Sequence, residues 1–353
     1  MLMTLLRKSN GDKRIILSRL LRCHLAIIFA SMLFILSASP VFSLESGAKG
    51  KSPQLSKQTI EQWMTEISNW GRWGKDDELG TLNLITPNKR KQAVGLVKEG
   101  LSVSLSLDIA KQSGPHTPWP LMQGMIASQS GDQFFASDIY TIAYHGYTHS
   151  HIDALSHLFY QGKAYNGFSI EILQSTGMEK LGIQKMKNGI MSRGILMDIP
   201  RLRGVSYLEL GAVITIKDLE DWEKQAGLQV GSGDVLLIRT GRWSRQRERG
   251  SWNAREKLAG LHPSVAKWLK ERDVAVMGSD GVSDAFPSGI EGLGDPIHLL
   301  ALVALGMPLF DNLNLEALAE QAVKHNRWEF LFMAAPLRVP GGTGSPLNPI
   351  ATF

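Results

Sequence analysis

A single α/β domain, built around a mixed β-sheet with flanking helices, is the fold class that this 353-residue sequence predicts. Three observations carry the expectation. Short apolar runs recur in the second half: GILMDIP (194–200), DVLLIRTG (234–241) and DVAVMGSDG (273–281). Each has the length and composition of a buried strand. Helical patterns, each with a proline near its start, separate or follow them in HPSVAKWLKER (262–272) and PIHLLALVALG (296–306), the alternation of a mixed α/β domain. Finally, 35 glycines and 15 prolines within a 43% hydrophobic chain suit a turn-rich fold with a sizeable core better than a helical bundle.

Residues 1–43 form a separate object. Arg7, Lys8, Lys13, Arg14, Arg19 and Arg22 precede an apolar run from Leu25 to Leu36, and Val41 and Ser43 are placed for cleavage after Ser43. This is the pattern of a secretory signal peptide, and the run is short for a membrane span of about 20 residues. The expected location is periplasmic or secreted, with no stable membrane association after cleavage. Six of the 38 Lys/Arg and one of the 33 Asp/Glu lie in this segment, leaving 32 of each in a formally neutral mature chain. The basic balance of the full sequence is therefore no argument for a nucleic-acid partner. The sole cysteine, Cys23, lies there too. Any metal site in the rest must use His, Asp, Glu or backbone oxygen.

Residues 44–58 read as a flexible polar lead-in and 59–353 as one domain, with no linker composition after 58. In order, the pattern predicts a short helix over 59–69 and a Trp/Gly/Asp-rich loop over 70–87. It then predicts an amphipathic helix over 88–100 stopped by Gly100, and an alternating strand over 101–109. Irregular chain is expected over 110–134, around Pro115, His116, Pro118 and Pro120. A strand follows over SDIYTIAYHGYTHSHID (137–153), on its aromatic and β-branched content.

The end of that strand is the most informative stretch. HGYTHSHIDALSH (145–157) holds His145, His149, His151, Asp153 and His157, all at odd positions. Alternate residues of a strand share a face. Imidazoles gathered around a carboxylate repel one another when protonated and waste polar capacity when buried; a divalent cation resolves both problems. Without thiolate, the donor set suits zinc, manganese or another first-row divalent ion. At about 3.3 Å per residue, His151 and Asp153 stand about 7 Å apart and can share an ion. His145 lies about 20 Å before His151 on a straight strand, and needs a sharp bend at Gly146 to join them. His149 is therefore expected ahead of His145 as the first ligand, with His145 as the alternative.

SHIDALSH (150–157) also keeps the second half of the signature His-x-Gly-Thr-His-x-Asp-x-Pro-x-His. Tyr147 stands where the first His is expected, and His149-Ser150 replace Gly-Thr. Further matching segments run in chain order over some 270 residues: WGRWGKDDELGTLNLIT (70–86), LFYQGKAYNGF (158–168), RGILMDIP (193–200), GDVLLIRTGRW (233–243), GLHPSVAKWL (260–269), GSDGVSD (278–284) and HLLALVALGMPLFDNLNLEAL (298–318). On these motifs the sequence resembles the cyclase family of metal-dependent hydrolases, which includes bacterial kynurenine formamidase and isatin hydrolase.

The resemblance implies a single domain of the swivelling β/β/α type, a homo-oligomer, a small-molecule substrate, and one or two zinc or manganese ions per chain. Carried over by motif, His151 and Asp153 resemble metal ligands, with Asp153 able to bridge two ions. His298 resembles the downstream histidine ligand and Asp311 a second carboxylate ligand, while the first-ligand place lies between His149 and His145. His157 resembles the histidine that handles protons. Asp280 and Ser283 are candidates for further ligation or support, or merely shape a loop. Trp70, Trp73 and Trp243 read as core rather than as a substrate platform. The implied activity is hydrolysis of a C–N bond (amide, formamide, imide or lactam-like) in a small aromatic or cyclic substrate, of arylformamidase type. Cyclase, dehydratase or lactonase chemistry at the same site, and non-catalytic periplasmic metal binding, are the alternatives.

Overall fold

The computed structural model describes residues 55–353. The leader and most of the lead-in expected from the sequence lie outside the described residues. Residues 57 and 58 of that lead-in already belong to the first helix, Lys57–Glu66, which Ser56 caps by accepting from Thr59 N.

Three parallel strands form the centre of a nine-stranded mixed sheet: Ile190–Asp198, Val235–Arg239 and Val276–Ser279. They are buried almost throughout, which is why they read as continuous apolar runs rather than alternating ones. On one side the sheet continues through Glu329–Ala334, Ile350–Thr352 and Ser102–Ser104, all antiparallel to their neighbours. On the other it continues through Leu309–Asp311, His151–Asp153 and Gly344–Pro346. The sheet's alternation feeds two cores. Ile195, Met197, Leu236 and Ile238 pack with Trp222, Trp268 and the apolar helix Leu299–Leu305. Leu196, Val235 and Leu237 pack with Phe310, Phe330, Phe332 and Phe353. A large mixed sheet with helices on its faces is the α/β architecture expected.

Several elements differ from their expected bounds. The second helix is Pro87–Val94 and ends at Gly95, not Gly100. Only Ser102–Ser104 of the expected 101–109 strand pairs, because its partner Ile350–Thr352 is equally short. The segment 110–134 is irregular only at first. Met122–Ser130 and Gln133–Thr141 form an antiparallel hairpin whose residues are all exposed, around Gly131 in the left-handed region. Met122, Met125, Phe134, Ile139 and Tyr140 are uncovered on it. The predicted 137–153 strand is consequently two pieces, one in this hairpin and one at His151–Asp153, with non-strand chain between.

Candidate metal centre

The short strand His151–Asp153 is the floor of the site. It is buried along its length because it runs between two strands, with Asp311 and Pro346 opposite His151, and Leu309 and Gly344 opposite Asp153. Register alone therefore sets the Asp311 carboxylate beside the His151 imidazole, with Asp311 Oδ2 3.9 Å from His151 Nε2. His298 arrives from a different element, the helical segment beginning at Pro296. Its Nε2 lies 3.2 Å from Asp311 Oδ2 and 3.5 Å from Asp153 Oδ2.

His145 joins from the loop. Gly146, at φ 128°, bends the chain there, so that His145 Nδ1 comes within 2.9 Å of Asp153 Oδ1. Its other ring nitrogen, Nε2, is 2.9 Å from Thr343 Oγ1, a contact that turns Nδ1 toward the carboxylate. His149, expected in this place, is set apart. Its Nε2 lies 3.5 Å from Trp119 O, and its ring joins neither group of atoms that could hold an ion. A straight strand would carry His149 toward Asp153 and His145 away from it; with the Gly146 bend it is His145 that lies beside Asp153.

Two ligand groups result, His145–His151–Asp153 and Asp153–His298–Asp311, each with its donor atoms within 4.8 Å of one another. Asp153 belongs to both. Its Oδ1 faces His145 and His151, while its Oδ2 faces His298 and His157. The donors fit a divalent cation on a physical ground. Both Asp153 oxygens and Asp311 Oδ1 are buried without a hydrogen bond of acceptable geometry, an arrangement that costs free energy unless a cation satisfies them. The electrostatics agree. Burial alone would raise the Asp153 carboxyl, but the surrounding imidazoles, His157 foremost, hold it well below the usual carboxylate range. Burial opposes charge on His298 as well, yet Asp311, Asp153 and Asp284 raise it well above the usual imidazole value. Sites with that field favour positive charge. The imidazole–carboxylate set without sulfur suits a first-row divalent ion.

The ligands have supports that the sequence reading missed. Asp284 accepts from Ile297 N at 2.6 Å and faces His298 Nδ1 at 2.6 Å, so His298 presents Nε2 to the carboxylates, as an outer carboxylate does for many metal-bound histidines. His151 Nδ1 meets His149 O at 2.8 Å, which leaves His151 Nε2 free in the same way. Asp284 closes the GSDGVSD run, but nothing local ties it to His298. Asp280 is not in the cluster. Its carboxylate accepts from Thr240 N, Thr240 Oγ1, Gly241 N and Arg242 N, fixing the start of helix Arg242–Arg249. Ser283 is also outside both ligand groups, bonded to Ser279. Of the three tryptophans, Trp243 is core, with Nε1 donating to Leu313 O, whereas Trp70 is exposed; neither they nor Trp73 line the cavity.

His157 stands apart from both ligand groups. Its Nε2 is 3.8 Å from Asp153 Oδ2, and its ring stacks on His145. Burial pushes its imidazolium down to about 4, against the opposing pull of Asp153, which leaves a neutral ring at neutral pH. A cavity of about 430 Å³ opens over this floor, walled by His116, Trp119, Tyr144, Tyr147 and Arg255 among others. Its size is that of a small-molecule site.

Comparison with known proteins agrees with the architecture. The sequence matches the Cyclase family model over residues 100–284. The structure is similar to the crystal structure of a novel cyclase, at 32% identity and a TM-score of 0.74, covering 82% of this chain and 99% of that one. It is similar in fold to isatin hydrolase A from Labrenzia aggregata bound to benzyl benzoate, at 19% identity and a TM-score of 0.52, covering 73% of this chain and 94% of that one. No curated protein matches the sequence. On the family match and the cyclase structure together, the chain belongs to the cyclase family.

Proposed function

We propose that the protein is a metal-dependent hydrolase that cleaves a C–N bond, amide, formamide, imide or lactam-like, in a small aromatic or cyclic substrate. The observation that carries the reading is Asp153, whose two unsatisfied oxygens face two groups of donors at the floor of a cavity of small-molecule size. His145, His151, Asp153, His298 and Asp311 would hold one or two ions, zinc or manganese. Such an ion supplies Lewis acidity toward a carbonyl and lowers the pKa of a water from 15.7 toward about 7.

The chain's own groups do the rest. His157, neutral and beside Asp153, accepts the proton of the attacking water and returns it to the leaving nitrogen; its low basicity makes that return favourable. Asp153, held charged, steadies the imidazolium that forms. Aromatic walls at Trp119, Tyr144 and Tyr147 receive a flat ring and exclude water from its faces. The charged and apolar pattern of residues 1–43 supports a periplasmic or secreted location for this activity. A homo-oligomer completes the reading, supported by the uncovered apolar side chains of the 122–141 hairpin.

The test is a panel of formanilides, cyclic imides, isatin-like lactams and aryl lactones, assayed with protein stripped by chelator and then reloaded with Zn²⁺ or Mn²⁺. Turnover of an amide-type substrate that disappears on stripping and returns on reloading is expected. Turnover of lactones alone would replace the C–N reading with lactonase chemistry, and metal binding without turnover of any substrate would favour a metal-binding protein.

A further inference from the structure

Arg242 is an oddity that the proposed chemistry does not use. It is 3% exposed, and among the described residues no carboxylate forms an ion pair with its guanidinium; Asp280 and Asp311 favour its charge only from longer range, and burial outweighs them. Burying a cation without a counter-charge is costly. Stacking on Trp243, 4.4 Å to the ring centroid, and more distantly on Trp252, at 5.8 Å, offsets part of that cost. A methionine of similar length would fill the space without any charge. What a guanidinium adds is a planar fork that reaches acceptors on two separate segments at once.

Those acceptors are informative. Arg242 Nη1 donates to Asn312 Oδ1 at 2.6 Å, and Nη2 donates to the carbonyl of Tyr147. Asn312, so oriented, donates through Nδ2 to Gly146 O at 2.7 Å and to His149 O at 3.2 Å. Three carbonyls of the bent loop, at 146, 147 and 149, are thus gripped by one Arg–Asn pair. Two ligands depend on that loop. His145 precedes the Gly146 bend, and His151 Nδ1 is aimed by the same His149 carbonyl. Asn312 is itself next in sequence to Asp311, and the base of the clamp is fixed where Asp280 holds the Arg242 amide.

We infer that Arg242 is a positioning residue for the metal ligands: directly at Tyr147 O and, with Asn312, at Gly146 O and His149 O, it holds the 146–149 loop in the bend that brings His145 and His151 to Asp153. The inference rests on the metal-binding reading above. It touches no substrate, so its readout is ion affinity rather than rate alone.

The experiment compares the mature chain with Arg242→Lys, Asn312→Gly and the double variant. Lysine keeps the charge but not the fork. Glycine suits the left-handed backbone at 312, where φ is 55°, and removes only the side chain. Zn²⁺ affinity is measured by competition with a chromophoric chelator, alongside thermal denaturation of the metal-free proteins. Each single variant should bind Zn²⁺ about ten-fold more weakly or worse, the range seen when groups that orient ligands are removed. The double variant should be no weaker than the poorer single, because both act through one clamp. Lower melting temperatures with wild-type Zn²⁺ affinity would make the pair merely structural and overturn the inference, as would losses that add in the double variant. If Arg242→Lys does not fold, Asn312→Gly decides by the same comparison. A wild-type protein that binds no Zn²⁺ removes the metal reading and this inference with it, whereas binding by wild type and variants alike removes this inference only.

Discussion

His145 and His157 stack face to face, their ring centroids 3.9 Å apart and their planes 7° from parallel, with Asp153 in reach of both. They sit twelve residues apart in sequence yet share one carboxylate. Only one of the two rings, that of His145, belongs to a group that could hold an ion.

The first prediction concerns the ring that the loop bend brings in. His145→Ala should weaken Zn²⁺ binding by about ten-fold or more, while His149→Ala should leave it near the wild-type value, because the His149 ring lies toward Trp119 O. Metal titrations of the two variants check this. A larger loss in His149→Ala would show that the Gly146 bend is not the solution conformation.

Removing charge from the shared ligand should act differently from removing the proton carrier. Asp153→Asn should abolish stoichiometric metal binding. His157→Ala should retain the metal and lose turnover by roughly 10²- to 10⁴-fold. Elemental analysis beside steady-state kinetics separates the two, and loss of metal from His157→Ala would make it a ligand.

Thr343 and Gly344 form the seat of His145. Thr343 Oγ1 meets its Nε2, and a Cβ at Gly344 would stand 2.9 Å from His145 Cε1 and 2.4 Å from Ile152 O. Thr343→Val keeps the shape and removes the hydroxyl, so affinity for Zn²⁺ should fall with little change in melting temperature. Gly344→Ala should lower both, with a stability loss of about 1–3 kcal/mol from the forced shift. Equal affinities in all three proteins would dissociate this seat from the ion.

Acid should release a contact on the far side of the sheet. Glu316 pairs with Arg239 at 2.9 Å; burial would raise its carboxyl, but Arg239 outweighs burial and depresses it. A folded-state value below the unfolded one, about 4.3, means that the stabilisation is present above that pH. It is lost as pH falls through the lower folded value. Glu316→Gln should therefore cost about 1–3 kcal/mol at pH 7, and the gap to wild type should narrow in denaturant titrations carried down toward pH 3. A gap that widened in acid would contradict the depressed value.

Local sequence carried the central strands because burial on both faces writes itself as an unbroken apolar run, as in DVLLIRTG. It pointed to Asp153, His157, His298 and Asp311 as candidates only with the help of family-like motifs, since the meeting of Asp311 with His151 and Asp153 depends on a register between segments some 150 positions apart. The exchange of His149 for His145 was beyond it. Alternation along 145–153 assumes a straight strand, and the groups that grip the bent loop, Asn312 and Arg242, come from elsewhere in the chain. The 122–141 hairpin was legible in principle: Gly131-Asp132 is a two-residue turn signal between runs with strand composition.

The pairing of His151–Asp153 with Leu309–Asp311 has a thermodynamic consequence. An unfolded chain keeps these donors far apart, so an ion that needs both segments binds the native state alone and becomes a term in its folding equilibrium. Free metal at a hundred times its dissociation constant adds about 2.7 kcal/mol to the folding free energy. The melting temperature should then track metal concentration in the surrounding medium. Supply of that ion would then set how long the folded chain survives wherever metal is scarce.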